Sequence, residues 1–407
     1  MLATDIRVDE REGRWCLSGL VRFDTLDRPA FRLEWSLAGG DASWFRVAGD
    51  AFLAALLLPA MRLGENLTIE APVSDQLLAN AGTISDIYAA WVTGTRRIRI
   101  MCPGAPPAPQ PDSVGLFFSC GVDSFYSLLK DIETPAHAAP ITHLVLLNGF
   151  DVRAGNRPLF DMIADRAGRV AADSGRSLLI VETNARQFFN AVVGWEFYHG
   201  SVLAGTALAL GGRLRSCTIP SSHAYSELLP WGSDPLLDPL WSTESLQIVH
   251  DGCEARRTDK VKRLARWPLV LQHLRVCWPD WTQDYNCGRC EKCIRTMIGL
   301  HLAGVLDRSA TFPQRLDPKD IRSIRLITGE SSLAFMVELL SVLRERPADR
   351  HLAQALEHVV RTERMRVRMR GMLTAFPALH AALKPARAMI ARHFAAKSSR
   401  SPVAVSR

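Results

Sequence analysis

The stretch that most constrains what this chain can fold into runs from Val114 to Lys130. It is continuously apolar from Val114 to Phe118, breaks at Ser119, Cys120, Gly121, Val122, Asp123 and Ser124, and resumes with helical spacing through Phe125, Leu128 and Leu129. That order predicts a buried strand, a tight turn and a helix. Gly121 lets backbone N–H groups approach an anion, Ser119 and Ser124 supply hydroxyls, and the helix directs its positive end at the same point. An ordinary Ser/Gly/Asp turn is the competing reading.

Further apolar strand candidates follow at 143–147, 178–182, 216–219 and 246–249, with helical stretches at 158–172 and 201–210 between them. The alternation predicts an α/β fold, a doubly wound and mostly parallel sheet with helices on both faces. Ligands in such sheets lie beyond the carboxyl ends of the strands, which places the Ser119 to Ser124 turn and the Asn148, Gly149, Asp151 turn at one pocket.

Cys277, Cys287, Cys290 and Cys293 form a C-x9-C-x2-C-x2-C cluster, whereas the other five of the nine cysteines are scattered singly. Four thiolates suit tetrahedral Zn2+. Disulfides and a redox Cys-x-x-Cys pair are the alternatives; the third in-register cysteine and the distant Cys277 favour a closed metal site.

The turn resembles the S-G-G-x-D-S signature of the PP-loop ATP pyrophosphatase superfamily, matching at five of six positions. The departure is Cys120, where the superfamily has its first glycine. Joined to the cysteine knot about 150 residues later, it resembles the 7-cyano-7-deazaguanine synthase family over about residues 112–305. The knot there has the form C-x-x-C-x-x-C followed shortly by arginine, and Arg295 lies one residue nearer the last cysteine than in that pattern. The resemblance implies ATP as cosubstrate and a loop (Ser119, Cys120, Gly121, Val122, Asp123, Ser124) that holds its phosphates. It also implies adenine or ribose contacts from Asn148 and Gly149, and a phosphate-neutralising lysine at Lys260. Asp123 beside a polyphosphate makes electrostatic sense as a Mg2+ anchor, or as an acid at a helix N-terminus. Asp123, Ser124 and Lys260 are thus the expected catalytic residues; Lys260 on a solvated helix face is the competing reading.

Residues 1–103 read as a small β-rich domain, with strands at 15–23, 31–37, 66–71 and 97–101 and one helix near 74–91. Five prolines make 104–113 and its flanks a linker. Residues 114–313 form the expected catalytic domain, 314–395 a helical region with its strongest stretches at 332–343 and 352–372, and 396–407 a disordered tail. The first fifteen residues carry too many charges for a signal peptide, and the greasiest stretch, 51–61, is too short to span a bilayer and contains Pro59, which predicts a cytoplasmic protein without a transmembrane segment.

The chain has net charge +7, yet residues 361–407 alone hold eleven Lys or Arg against Glu363. This local basicity suits a polyanion or an acidic protein partner. No Ser, His and acid constellation marks a hydrolase. The expected activity is an ATP-dependent ligase that adenylates a carboxylate, 7-carboxy-7-deazaguanine or a related acid, for attack by ammonia or an amine. The alternatives are a PP-loop RNA base-modifying enzyme and a non-catalytic nucleotide- and zinc-binding module.

Overall fold

The computed structural model describes residues 1–105, 108–134, 140–153, 155–277, 283–326 and 330–375. The chain divides after Leu316 into two compact units. The first opens with β1 (Leu2–Arg11), β2 (Arg14–Arg22) and β3 (Phe31–Ala38), then α1 (Asp50–Leu63), β4 (Leu67–Ile69), β5 (Val73–Ser74), α2 (Asp75–Trp91), β6 (Ile100–Met101) and β7 (Gly104–Ala105). Strands and helices then alternate: β8 (Ser113–Phe117), α3 (Val122–Glu133), β9 (His143–Asn148), α4 (Arg157–Asp173), β10 (Ser177–Thr183), α5 (Ala185–Phe189), α6 (Trp195–Ala209), β11 (Leu214–Pro220) and β12 (Gln247–Asp251). Three helices follow, α7 (Arg257–Leu264), α8 (Pro268–His273) and α9 (Glu291–Leu302). The second unit holds α10 (Pro318–Ser323), α11 (Glu330–Arg344) and α12 (Arg350–Ala375). No described helix is long and apolar enough to cross a membrane.

Ten strands form one mostly parallel sheet in the order β12-β11-β8-β9-β10-β3-β2-β1-β4-β6. From β12 to β10 all pairings are parallel, and β10 then pairs antiparallel with β3 through Val181↔Leu37, Glu182↔Ser36 and Thr183↔Trp35. The N-terminal strands therefore extend the same sheet. Trp35 reinforces the join, its indole N–H donating to the Thr206 hydroxyl on α6 at 3.1 Å in the core.

The pleat sorts alternate residues into two apolar cores. Phe117, Val145, Leu179 and Val181 pack with α1, α2, α5 and α6, whereas Leu116, Leu144, Leu146 and Ile180 pack with α3, α4, α7, α8 and α9. Helices thus cover both faces of the sheet across β8, β9 and β10.

The N-terminal region holds two helices where one was expected. In α1 every residue from Asp50 to Met61 is buried, so the amphipathic period that betrays most helices is missing. Pro59 sits inside it. A proline at that position cannot donate to the Ala55 carbonyl, and the Tyr198 hydroxyl of α6 donates to that oxygen instead, at 2.9 Å. The strand β1, ahead of the first expected one, alternates charged and apolar residues; its Arg7 and Arg11 pair with Asp5, Asp9 and Glu34 on one exposed face. The expected strands at 66–71 and 97–101 are shorter, at β4 and β6. In the second unit the two strongest helical stretches correspond to α11 and α12; residues 376–407, including the expected tail, lie outside the described residues.

Candidate functional site

The connection direction reverses between β8 and β11: β8, β9 and β10 step one way across the sheet, β11 and β12 the other. At such a switch point the two outgoing loops part and leave a crevice at the carboxyl ends of the strands. The loop after β8 is Ser119 to Gly121 leading into α3, and the loop after β11 begins at Ser221. Of the predicted site residues, the Ser119 to Ser124 loop and Lys260 meet here.

Ser119 is exposed on the loop, Gly121 caps α3, and Ser124 in the first turn donates to the Gly121 carbonyl at 3.1 Å. A Cβ on Gly121 would lie 3.1 Å from the Ser119 hydroxyl, so a side chain there would press on the serine. Cys120 has φ +59°, the left-handed region that favours glycine. Its side chain is fully buried among α3, α8 and α9 neighbours, and burial pushes the thiol up to about 12. The sulfur therefore faces the core, and so does the Val122 side chain; what these two present to the crevice is backbone. The Cys120 carbonyl accepts from Arg275 N–H at 2.8 Å, tying the loop to the segment that enters the cysteine knot.

Asp123 occupies the first turn of α3 and meets two cations of α7. Its carboxylate lies 2.6 Å from Arg257 and 3.3 Å from Lys260. Burial would raise its pKa, but Arg257 and Lys260, with Arg295 behind them, hold it at about 2. Lys260 is 1% exposed, donates to the Ser221 carbonyl at 2.7 Å and lies 5.4 Å from the Tyr126 ring centre. It is buried within the site, not on a solvated helix face.

Sequence reasoning missed Lys292 and gave Arg257 and Arg295 no role. Arg295, on α9, is buried beside Glu291 at 3.2 Å, and burial lowers it only to about 10, so it stays charged. Burial lowers Lys292 to about 8. His223, in the loop after β11, is pushed down to about 4 by burial, against the opposing pull of Asp123, and is neutral at pH 7. These residues come from separate elements, so no local spacing signals them; only the basic run at 256–262 hinted at Arg257.

At the neighbouring strand end, Asn148 is buried and accepts from Gly149 N–H at 2.9 Å. Gly149 has φ +79°, and a Cβ there would fall 2.1 Å from the Thr183 carbonyl. Asn148 and Gly149 thus form a tight turn one strand away from the loop. Asp151 is exposed, and Thr183 accepts from Ala185 N–H in a strand-to-helix turn. Phe150 packs on Trp195 with ring centres 4.7 Å apart, while Trp231 contacts both His199 and His223 at 5.5 and 5.6 Å.

The sulfur atoms of Cys277, Cys287, Cys290 and Cys293 all lie within 4.8 Å of one another. None is in a disulfide, and Cys287 and Cys293 are 3.9 Å apart. Four sulfurs at about 2.3 Å from a tetrahedral zinc would be about 3.8 Å apart, so this group could hold a metal such as zinc. Local backbone prepares it: the Asn286 side chain accepts from Val276 and Cys277 N–H at 2.9 and 3.2 Å, Gly288 turns at φ +69°, and Cys290 caps α9. Backbone N–H groups of Cys287 and Cys290 point at the sulfurs of Cys277 and Cys287 at 3.4 and 3.3 Å. The knot anchors the helix that brings Arg295 towards Asp123.

No protein-family model matches the chain, and no curated protein or solved structure matches it either. What the fold and site define is an α/β protein whose parallel sheet carries a cation-rich crevice at its switch point, braced by a four-cysteine group.

Proposed function

We propose that this chain is an ATP-dependent adenylating ligase of the PP-loop type. It joins a carboxylate, 7-carboxy-7-deazaguanine or a related acid, to AMP, releases pyrophosphate, and passes the acyl group to ammonia or an amine. The observation that carries the reading is the crowd of cations (Arg257, Lys260 and Arg295) around Asp123 at the Ser119 to Ser124 loop on the sheet's switch point. Arg257, Lys260 and Arg295 against the carboxylates of Asp123 and Glu291 leave net positive charge for an anionic ligand to balance. A triphosphate supplies it. Loop N–H groups and Ser119 and Ser124 are suited to its oxygens, Lys260 and Arg257 to the charge that builds on the pyrophosphate leaving group, and the Asn148 to Phe150 turn to the nucleoside.

The donor set also fits Mg2+ at Asp123, provided phosphate oxygens take over Arg257 and Lys260. The ion would neutralise phosphate charge there. A second reading, a nucleotide-binding module without catalysis, is favoured by the fact that both Asp123 oxygens are already engaged by cations. One assay separates them: protein, ATP, Mg2+, 7-carboxy-7-deazaguanine and ammonium, with AMP and pyrophosphate quantified. AMP formation that Lys260→Met abolishes supports the ligase. ATP binding without AMP favours the module, and absence of ATP binding overturns both.

A further inference from the structure

The second unit holds a groove that the crevice chemistry does not use. Val337, Leu340, Ser341 and Arg344 recur at helical spacing along α11, and Val360, Arg361, Arg364 and Arg368 do so along α12; the two faces line one open cavity of about 400 Å³. Its floor is aliphatic: Leu340 and Val360 are buried, and Met365, also in the lining, is 54% exposed. The rest of the lining is dominated by arginine.

The charges there do not cancel. Arg344 pairs at 2.5 Å with Glu357, the one acid of the lining. Glu363, the next acid along α12, is 3% exposed, pairs with Arg366 at 3.1 Å and does not line the cavity. Arg361, Arg364 and Arg368 are exposed and make no ion pair among the described residues. Four arginines against one glutamate leave +3 in the groove. The three unpaired ones span two turns of α12, about 10 Å at 1.5 Å per residue.

We propose that this groove docks an acidic amphipathic helix of a partner protein, independently of the adenylating reaction. Arginines spread over two turns call for several anionic groups at matching spacing, which a small carboxylate lacks and a helix with Glu or Asp at every third or fourth position supplies. Arginine forks suit carboxylates, and apolar residues on the same face of the partner helix cover the aliphatic floor. The arginines alone would suit any polyanion; the floor decides between them. Single-stranded RNA has no use for it, because no aromatic side chain lines the cavity for a base to stack on. The chain's own segment beyond Ala375 carries six Lys or Arg and no acid, so its charge opposes that of the groove.

The test needs no ATP, so its failure is distinct from failure of the AMP assay. The full chain is titrated into a fluorescent peptide of about five helical turns with Leu at helical spacing and Glu flanking it, into a scrambled peptide of the same composition, and into a labelled single-stranded RNA of equal charge. Anisotropy should show the amphipathic peptide binding at least about tenfold tighter than the scrambled one, because only the ordered pattern meets floor and arginines together. Arg364→Glu, at an exposed position, sets an acid three residues from Arg361 and four from Arg368, which keeps the helix while the groove falls to +1. It should weaken the amphipathic peptide at least about tenfold. Met365→Ser, which trims the floor at an exposed position, should weaken the amphipathic peptide and leave the scrambled one unchanged. Equal affinity for the two peptides, an affinity unmoved by Arg364→Glu, or binding of neither peptide overturns the proposal. RNA that binds more tightly than the amphipathic peptide and loses affinity with Arg364→Glu assigns the groove to nucleic acid and overturns it as well.

Discussion

At Asp123 a single carboxylate sets the balance of the crevice. Its folded pKa of about 2 lies below the ordinary value of 3.8, so the stability it contributes is present above about pH 4 and lost as pH falls through about 2. The size is about 2 kcal/mol, at 1.36 kcal/mol per pKa unit. Asp123→Asn should therefore lower unfolding free energy by about 2 kcal/mol at pH 7, and the gap from the unmutated protein should close between pH 4 and 2. Urea titrations across that range measure it; a gap that persists at pH 2 would place the stabilisation elsewhere. Cys120 poses an opposite problem. Replacing it with glycine relieves about 1 kcal/mol of left-handed strain but adds about 1 kcal/mol of backbone entropy and removes a fully buried side chain worth about 1–2 kcal/mol. Cys120→Gly should be net destabilising by about 1–2 kcal/mol while leaving ATP affinity unchanged, since the sulfur faces the core. Calorimetric titration with ATP alongside thermal melts separates the two effects.

Among the elements, α9 couples the cysteine group to the crevice: Cys290 caps it, Cys293 is in its first turn, and Arg295 follows two residues later. Natively purified protein should hold one zinc per chain by elemental analysis, and Cys290→Ser should lower that content and the soluble yield. Chelation should weaken ATP binding by about tenfold, roughly 1.4 kcal/mol, before global unfolding, because α9 loses its anchor. Unaltered ATP affinity in metal-free, folded protein would uncouple the two sites. Gly149→Ala should cost at least about 2 kcal/mol, as φ +79° and a Cβ 2.1 Å from the Thr183 carbonyl forbid a side chain. The elements differ in how plainly the sequence announces them. Parallel strands buried on both faces read as apolar runs, and β8 and β9 were legible for that reason. The helix α1 was not, because burial on every side erases the amphipathic period and a proline argues against a helix whose freed carbonyl is satisfied from afar by Tyr198. The loop and cysteine cluster were legible because their residues are adjacent in sequence. The roles of Arg257 and Arg295 were not, because folding brings to Asp123 two helices that lie far from it in the chain.

For the whole molecule, the decisive asymmetry is charge. The two apolar cores, the cysteine group and all the crevice residues belong to the unit ending at Leu316, whereas the excess positive charge lies beyond it. Within the second unit, α11 and α12 border an open cavity of about 400 Å³ whose walls include Leu340 and Val360 and whose lining carries Arg344, Arg361, Arg364 and Arg368, with Glu357 as the one acid. Exposed arginines spaced along α12 suit a phosphate backbone and carry little consequence for folding. A chain ending at Leu316 should therefore remain folded and keep its ATP affinity, because it retains both cores. If the RNA base-modifying alternative is correct, the full chain should bind single-stranded RNA with an affinity that falls steeply as salt rises, and the truncated chain should show a weaker affinity and a flatter dependence. Fluorescence anisotropy on a labelled RNA over roughly half to three times the ionic strength at which the screening length is about 1 nm resolves that slope. Equal slopes for the two chains would remove the main support for an RNA substrate and leave the small-molecule ligase as the reading to pursue.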